Sequence, residues 1–287
     1  MNITDLSHLG FLRISGGDAK DFLQNLTSND VRHLDEHTAQ HNSICSPKGR
    51  MLANFLLFMM DGDYILQMPK EMVERVRSRL SMYIMRSRVS VTEADLAAVG
   101  LSGNAFPESI PSSAMGVSRT DSGTAIRLSD SRYEIVTDPE NAERIMAAHE
   151  AVGRTHWEHL EILEGIPVIL PETEGLFVPQ MANFELIGGV SFQKGCYPGQ
   201  EIVTRTHFLG KVKRRMMLAH VDSGVAPSPG EEVYCGTDAA GTVARAAPSP
   251  EGGFDILAVI QIEHEESELR LESGQILRMM QLPYPLP

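Results

Sequence analysis

The stretch MLANFLLFMMDGDYILQMPKEMVERVRSRLSMYIM, Met51 to Met85, decides the reading of the fold. Two apolar runs flank Asp61-Gly62-Asp63, a spacing that predicts a β-hairpin. Pro69 then opens a helical pattern with Met72, Val76, Leu80 and Tyr83 at helical spacing. The same order recurs downstream. AIRL and RYEIVT read as strands around Ser129-Asp130-Ser131, and Pro139 opens the helix ENAERIMAAHEAV. Two strand–strand–helix units predict a pair of related α+β lobes rather than a doubly wound parallel sheet.

Upstream, GGDAKDFLQNL predicts a helix capped by Asp18, with Phe22, Leu23 and Leu26 on one face. Past Thr206 the texture changes. MMLAHV, EEVYC, GTVARAA, FDILAVIQI, ELRLE and QILRMMQL are short strand patterns separated by Gly, Pro, Ser and acidic turns. They predict a small antiparallel barrel or sandwich.

With 287 residues, 42% hydrophobic and 22% charged, the chain can bury a sizeable core in two domains or three small ones. Its net charge of −13 argues against non-specific adhesion to nucleic acid or anionic lipid. The longest apolar run contains Asn54 and is too short to cross a bilayer, so no membrane association is expected. MNITDLSHLG has no basic and apolar leader pattern. The three cysteines, Cys45, Cys196 and Cys235, fit neither a disulfide scaffold nor a zinc motif, and point to a reducing cytoplasm.

Chemistry concentrates in FQKGCYPGQE, Phe192 to Glu201. Gly195 and Gly199 permit unusual backbone angles and Pro198 stiffens the turn, a good way to present one thiol. Lys194 favours the thiolate of Cys196 and Glu201 opposes it, which leaves its reactivity open. A small buried hydrophobe in a structural turn explains Cys196 as well. Around Cys45, ICSPKGR marks a turn whose Lys48 and Arg50 suit an anion or simply solvent. Cys235 reads as core. The sole tryptophan, Trp157, suits stacking on a flat heterocycle or a place in the core. The ten histidines have no metal-ligand spacing, and no GxGxxG, Walker loop or GxSxG elbow is present. GKVKRR gathers Lys211, Lys213, Arg214 and Arg215, either for a polyanion such as RNA or a row of carboxylates, or as a solvated edge strand.

Together, ISGGDAKDFLQNLTSNDV, CSPKGRML, Trp157, GIPVI and FVPQMANFELIGGVSFQKGCYPGQEIVTRTHFLGKVKRR strongly resemble the YgfZ-type folate-binding proteins. These belong to the glycine-cleavage T-protein (aminomethyltransferase) superfamily. The family signature Lys-Gly-Cys-Tyr-x-Gly-Gln-Glu is matched without a gap by Lys194 to Glu201. The resemblance implies two interleaved, ferredoxin-like α+β lobes over 1–205, with an inner lobe at roughly 50–150. A β-barrel over 206–287 completes a ring around a central hole. That hole is implied to bind tetrahydrofolate or a one-carbon derivative.

The implied function is a cytoplasmic helper in making or repairing iron–sulfur proteins, including enzymes that thiolate tRNA. Cys196 and Lys194 carry over as the reactive pair. Tyr197, Gly199, Gln200, Glu201 and Arg205 carry over with the signature segment, and Trp157 as the residue stacked near folate. A further family tryptophan falls at Leu9. No metal ligand is implied. In the true T-protein a Gly-Gly-x-x-Asp-Asp stretch orients folate N5. Here GRMLAN, Gly49 to Asn54, places Ala53 and Asn54 there, and neither is an anionic proton acceptor. Aminomethyl transfer by that mechanism is therefore not expected. A one-carbon transferase using another group and a direct RNA-binding protein using residues 211–215 are the competing readings.

Overall fold

The computed structural model describes residues 1–103 and 109–287. The chain divides into two compact units. The first comprises Met1–Ser43, Asn54–Trp157 and Gln193–Tyr197, and the second Ile44–Ala53, Glu158–Phe192 and Pro198–Pro287. Among the described residues there are five α-helices: α1 (Ala19–Leu26), α2 (Lys70–Ile84), α3 (Pro139–Ala147), α4 (Arg154–Leu163) and α5 (Gln200–Phe208).

Two sheets build the first unit. One is ordered Ala151–Val152, Asn2–Asp5, Ala97–Ser102, Arg132–Thr137, Gly123–Arg127, Val117–Thr120. The other is ordered Gln40–Cys45, Met51–Met60, Asp63–Pro69, Leu9–Ser15, Ser90–Glu93. The predicted hairpin forms at Asp61 and Gly62, whose φ values of 55° and 82° are the paired left-handed angles of the favoured two-residue turn. Strand alternation then sends Leu56, Phe58, Ile65 and Phe11 to meet Ala98, Val117, Ile126 and Val136 of the facing sheet. Each large apolar side chain so buried stabilises by about 1.5–3 kcal/mol. On the opposite face of the first sheet, Val99, Leu101, Tyr133 and Ile135 pack with Ala142 of α3.

Three local expectations change. Asp18 stands at the start of α1 but caps nothing, because its carboxylate accepts from the Arg88 backbone N–H at 2.8 Å and pairs with its guanidinium at 3.0 Å. The buried stripe of α2 is Met72, Val73, Val76 and Leu80; Tyr83, in the last turn, is 41% exposed. The α3 pattern stops at Ala147, and Ala151–Val152 leaves it as a short strand parallel to Asn2–Asp5. At the start of α3, Asp138 does cap, accepting from Asn141 N–H.

The second unit carries an antiparallel sheet ordered Leu269–Leu271, Glu232–Cys235, Asp238–Pro248, Phe254–Gln261, Arg214–Val221, Leu277–Met280. All six predicted strands are present. The expected closed barrel is instead a half-barrel, since its two edge strands are joined only by an Arg270–Ile276 bridge. Its core is small and β-branched: Val221, Val233, Val243, Ile256, Ile260 and neighbours. The C-terminal half of α4 is fastened to this sheet by two buried polar contacts. His159 meets Asp255 at 2.7 Å and Glu161 pairs with Arg245 at 2.5 Å. Asp255 also meets His220 at 2.7 Å. Among the described residues, no helix is long and apolar enough to cross a membrane.

Candidate functional site

The signature turn divides its side chains between interior and surface. Lys194 and Tyr197 are buried, while Cys196 is exposed. The Lys194 ammonium donates to the Thr27 carbonyl at 2.5 Å and the Asn29 carbonyl at 2.9 Å, and lies 5.2 Å from the centre of the Tyr197 ring. It thus ties the turn to the loop that follows α1. Burial pulls its pKa down to about 8; Asp30 offsets part of that shift and Arg32 adds to it. Two of the ammonium's donors thus go to backbone carbonyls. Cys45 is buried and Cys235 half-buried, in keeping with structural roles.

Gly199 begins the next part of the signature. It has φ 82° and precedes α5; a Cβ on it would lie 2.3 Å from Ser46 O and 2.7 Å from Gly49 Cα. Gly49 has φ 71°, and its own Cβ would fall 2.9 Å from Ile202 Cβ. The CSPKGR turn and the start of α5 therefore meet through two glycines. Gly195 behaves otherwise: its φ is not positive and a Cβ there would meet open space, so the predicted conformational need does not exist at that position. Gln200 is half-buried, Glu201 and Arg205 are exposed on α5, and half-buried Arg50 donates to Leu176 O.

Trp157 sits in the core between the two sheets of the first unit, 1% exposed. Leu9 packs against the same cluster. The indole packs on Gly100, where a Cβ would come within 2.6 Å of the ring. The Arg132 guanidinium carbon lies over the ring, 4.7 Å from its centroid. Alternation along Arg132–Thr137 sets Arg132, Glu134 and Val136 on this face. Gln67 from the facing sheet donates to Glu134 at 2.9 Å, while the Gln67 Oε1 atom is buried without a hydrogen-bond partner. Asn54 shares the face of Leu56 and Phe58.

Sequence reasoning passed over Arg132, Glu134 and Gln67. A signal existed: in RYEIVT and DYILQMP these polar residues share a strand face with Val136 and Ile65, which lie in the core. Chemically, a carboxylate and a carboxamide at the edge of an aromatic wall suit a flat ligand with adjacent N–H donors.

The basic run is divided. Arg215 is buried, paired with Glu185 at 2.5 Å and bonded to Gln180 O at 2.8 Å, so it offers nothing to a polyanion. Lys211 and Lys213 are exposed, but the Lys213 carbonyl accepts from Ile262 N–H at 3.0 Å, which sets the acidic 263–268 turn beside it.

Residues 1–109 match the family model described as the GCVT N-terminal domain. A tRNA-modifying protein YgfZ of Vibrio atlanticus is 30% identical over 221 residues, 75% of this chain and 68% of that protein. A protein of the same name from Escherichia coli is 30% identical over 308 residues, covering 100% of this chain and 94% of that one. The glycine cleavage system aminomethyltransferase T of Bartonella henselae has the same fold, with a TM-score of 0.78 at 15% identity over 98% of this chain and 85% of that one.

Proposed function

The chain belongs to the YgfZ family of the glycine-cleavage T-protein superfamily, and from that premise we propose a tetrahydrofolate-binding accessory protein acting through Cys196. The observation that carries the folate reading is Glu134, a carboxyl 1% exposed in an apolar core beside Trp157. Gln67 already donates to this carboxyl at 2.9 Å, and a ligand's N–H donors would add charge-assisted hydrogen bonds to the same group. The 2-amino and N3–H groups of a pterin are such donors, and the unpartnered Gln67 Oε1 is a second acceptor beside them. The residues therefore fit the group. Glu134 and Gln67 would hold the pterin edge, and Trp157 and Leu9 would wall it from water. When bound, tetrahydrofolate supplies a reduced ring and the nitrogens that carry one-carbon units.

Ala53 and Asn54 leave no carboxylate for aminomethyl transfer, so the reading is of a helper rather than a stand-alone aminomethyltransferase. Its clients in this reading are cytoplasmic iron–sulfur proteins. The tRNA link of its relatives then runs through enzymes that thiolate tRNA rather than through direct RNA contact. What supports a role for Cys196 is an exposed thiol in a turn whose two neighbours, Lys194 and Tyr197, are anchored inward.

The test is Cys196→Ala, measured for melting temperature, folate binding and complementation of cells lacking the protein. Folding and folate affinity should survive, while the activity of dependent iron–sulfur enzymes should fall sharply. Full complementation by the alanine variant would remove the thiol from the account.

A further inference from the structure

Trp157 has a fixed backbone neighbour and a replaceable side-chain neighbour. Gly100 lies mid-strand, paired with Thr4 on one side and Glu134 on the other, so its backbone is fixed against the indole. The ring is also covered by a side chain, the Arg132 guanidinium, whose carbon lies 4.7 Å from the ring centroid. A flat ligand that stacks where the guanidinium lies has to take Arg132's place.

Resting on the folate reading above, we infer that Arg132 is the affinity-determining residue of this site, an internal competitor for the ligand's position. The chemistry of the two competitors is alike. A guanidinium is planar, presents a fork of N–H donors and stacks on aromatic faces. The aminopyrimidinone edge of a pterin is also planar and also presents paired N–H donors. Arg132 stands two residues before Glu134 on the same strand face, in the neighbourhood of the carboxyl that the pterin edge would address. Both Arg132, 2% exposed, and Trp157 are desolvated, which puts their contact at the strong end of cation–π interactions. Removing the guanidinium frees the part of the indole it covers, which favours a donor-bearing ring in its place.

The experiment is a calorimetric titration of 5-formyl-tetrahydrofolate into the full-length protein, Arg132→Leu and Arg132→Lys, with melting temperatures alongside. Arg132→Leu should bind roughly tenfold to thirtyfold more tightly, the factor carried by a desolvated cation–π contact. Arg132→Lys should tighten less, because a compact ammonium keeps the charge without the plane. In the wild type, saturation should shift the emission of Trp157, the sole tryptophan. Equal or weaker binding by Arg132→Leu overturns the inference while the folate site stands. If that variant does not fold, equal or weaker binding by Arg132→Lys overturns it. No binding by any of the three proteins overturns the folate reading together with it.

Discussion

Replacing Gly199 by alanine puts a methyl group where the structure has no room for one. Two costs add. Holding an alanine at φ 82° costs about 1–2 kcal/mol, because its Cβ crowds the following carbonyl. The new Cβ would also sit 2.3 Å from Ser46 O and 2.7 Å from Gly49 Cα, both backbone atoms that cannot swing aside. Relieving such an overlap costs about 1–3 kcal/mol by analogy with an overpacked core. The sum is about 3 kcal/mol, enough to lower a melting transition by about 6–12 °C in a unit of this size. Gly195→Ala is the matched control in the same signature. Its backbone angle is ordinary and a Cβ meets nothing within 4 Å, so the change should stay within about 0.5 kcal/mol. Urea denaturation followed by circular dichroism on both variants reads the difference. A Gly199→Ala protein as stable as wild type, or equal losses from both changes, would refute the glycine-to-glycine account of this turn.

Two further outcomes follow from buried charges. The lowered Lys194 pKa, about 8, means that the unfolded chain binds this proton more tightly than the folded one. The resulting cost is present below about pH 8 and is relieved as pH rises towards the unfolded value near 10.4. Wild-type stability relative to Lys194→Met should therefore climb between pH 8 and 10, and a flat difference would contradict the assignment. At Asp255, burial pushes the carboxyl up, but hydrogen bonds from His159 and His220 outweigh it and hold the pKa below the usual range. That stability is present at neutral pH and is lost as pH falls through the lowered value. Asp255→Asn should cost about 3 kcal/mol at pH 7 and flatten the acid limb of the stability profile; a loss under about 1 kcal/mol would mean the contacts are slack.

Features that depend on local chemistry were legible in the sequence. Asp61-Gly62 specifies its own turn, Pro139 its own helix start, and the six C-terminal strands announce themselves through short apolar runs between turn residues. The signature turn was legible as a motif, with Gly199 correctly suspected and Gly195 not. What escaped was set by partners distant in sequence. Arg88 takes the Asp18 carboxylate from its helix, Glu185 draws Arg215 inward, and Thr27 and Asn29 occupy the Lys194 ammonium. Glu134 and Gln67 looked like ordinary polar members of alternating strands. Only the second sheet, packed over them, turns their face into an interior and makes them notable. The open edge of the half-barrel is likewise a matter of long-range pairing that short strand patterns do not encode.

The central claim, a folate site built on Glu134 beside Trp157, is tested most directly by titrating tetrahydrofolate, kept reduced, into wild type and Glu134→Gln under calorimetry. The account predicts saturable binding by the wild type and at least roughly tenfold weaker binding by the variant, the loss carried by one hydrogen-bonded charge. The absence of binding heat at millimolar folate, or equal affinity in the two proteins, would contradict it.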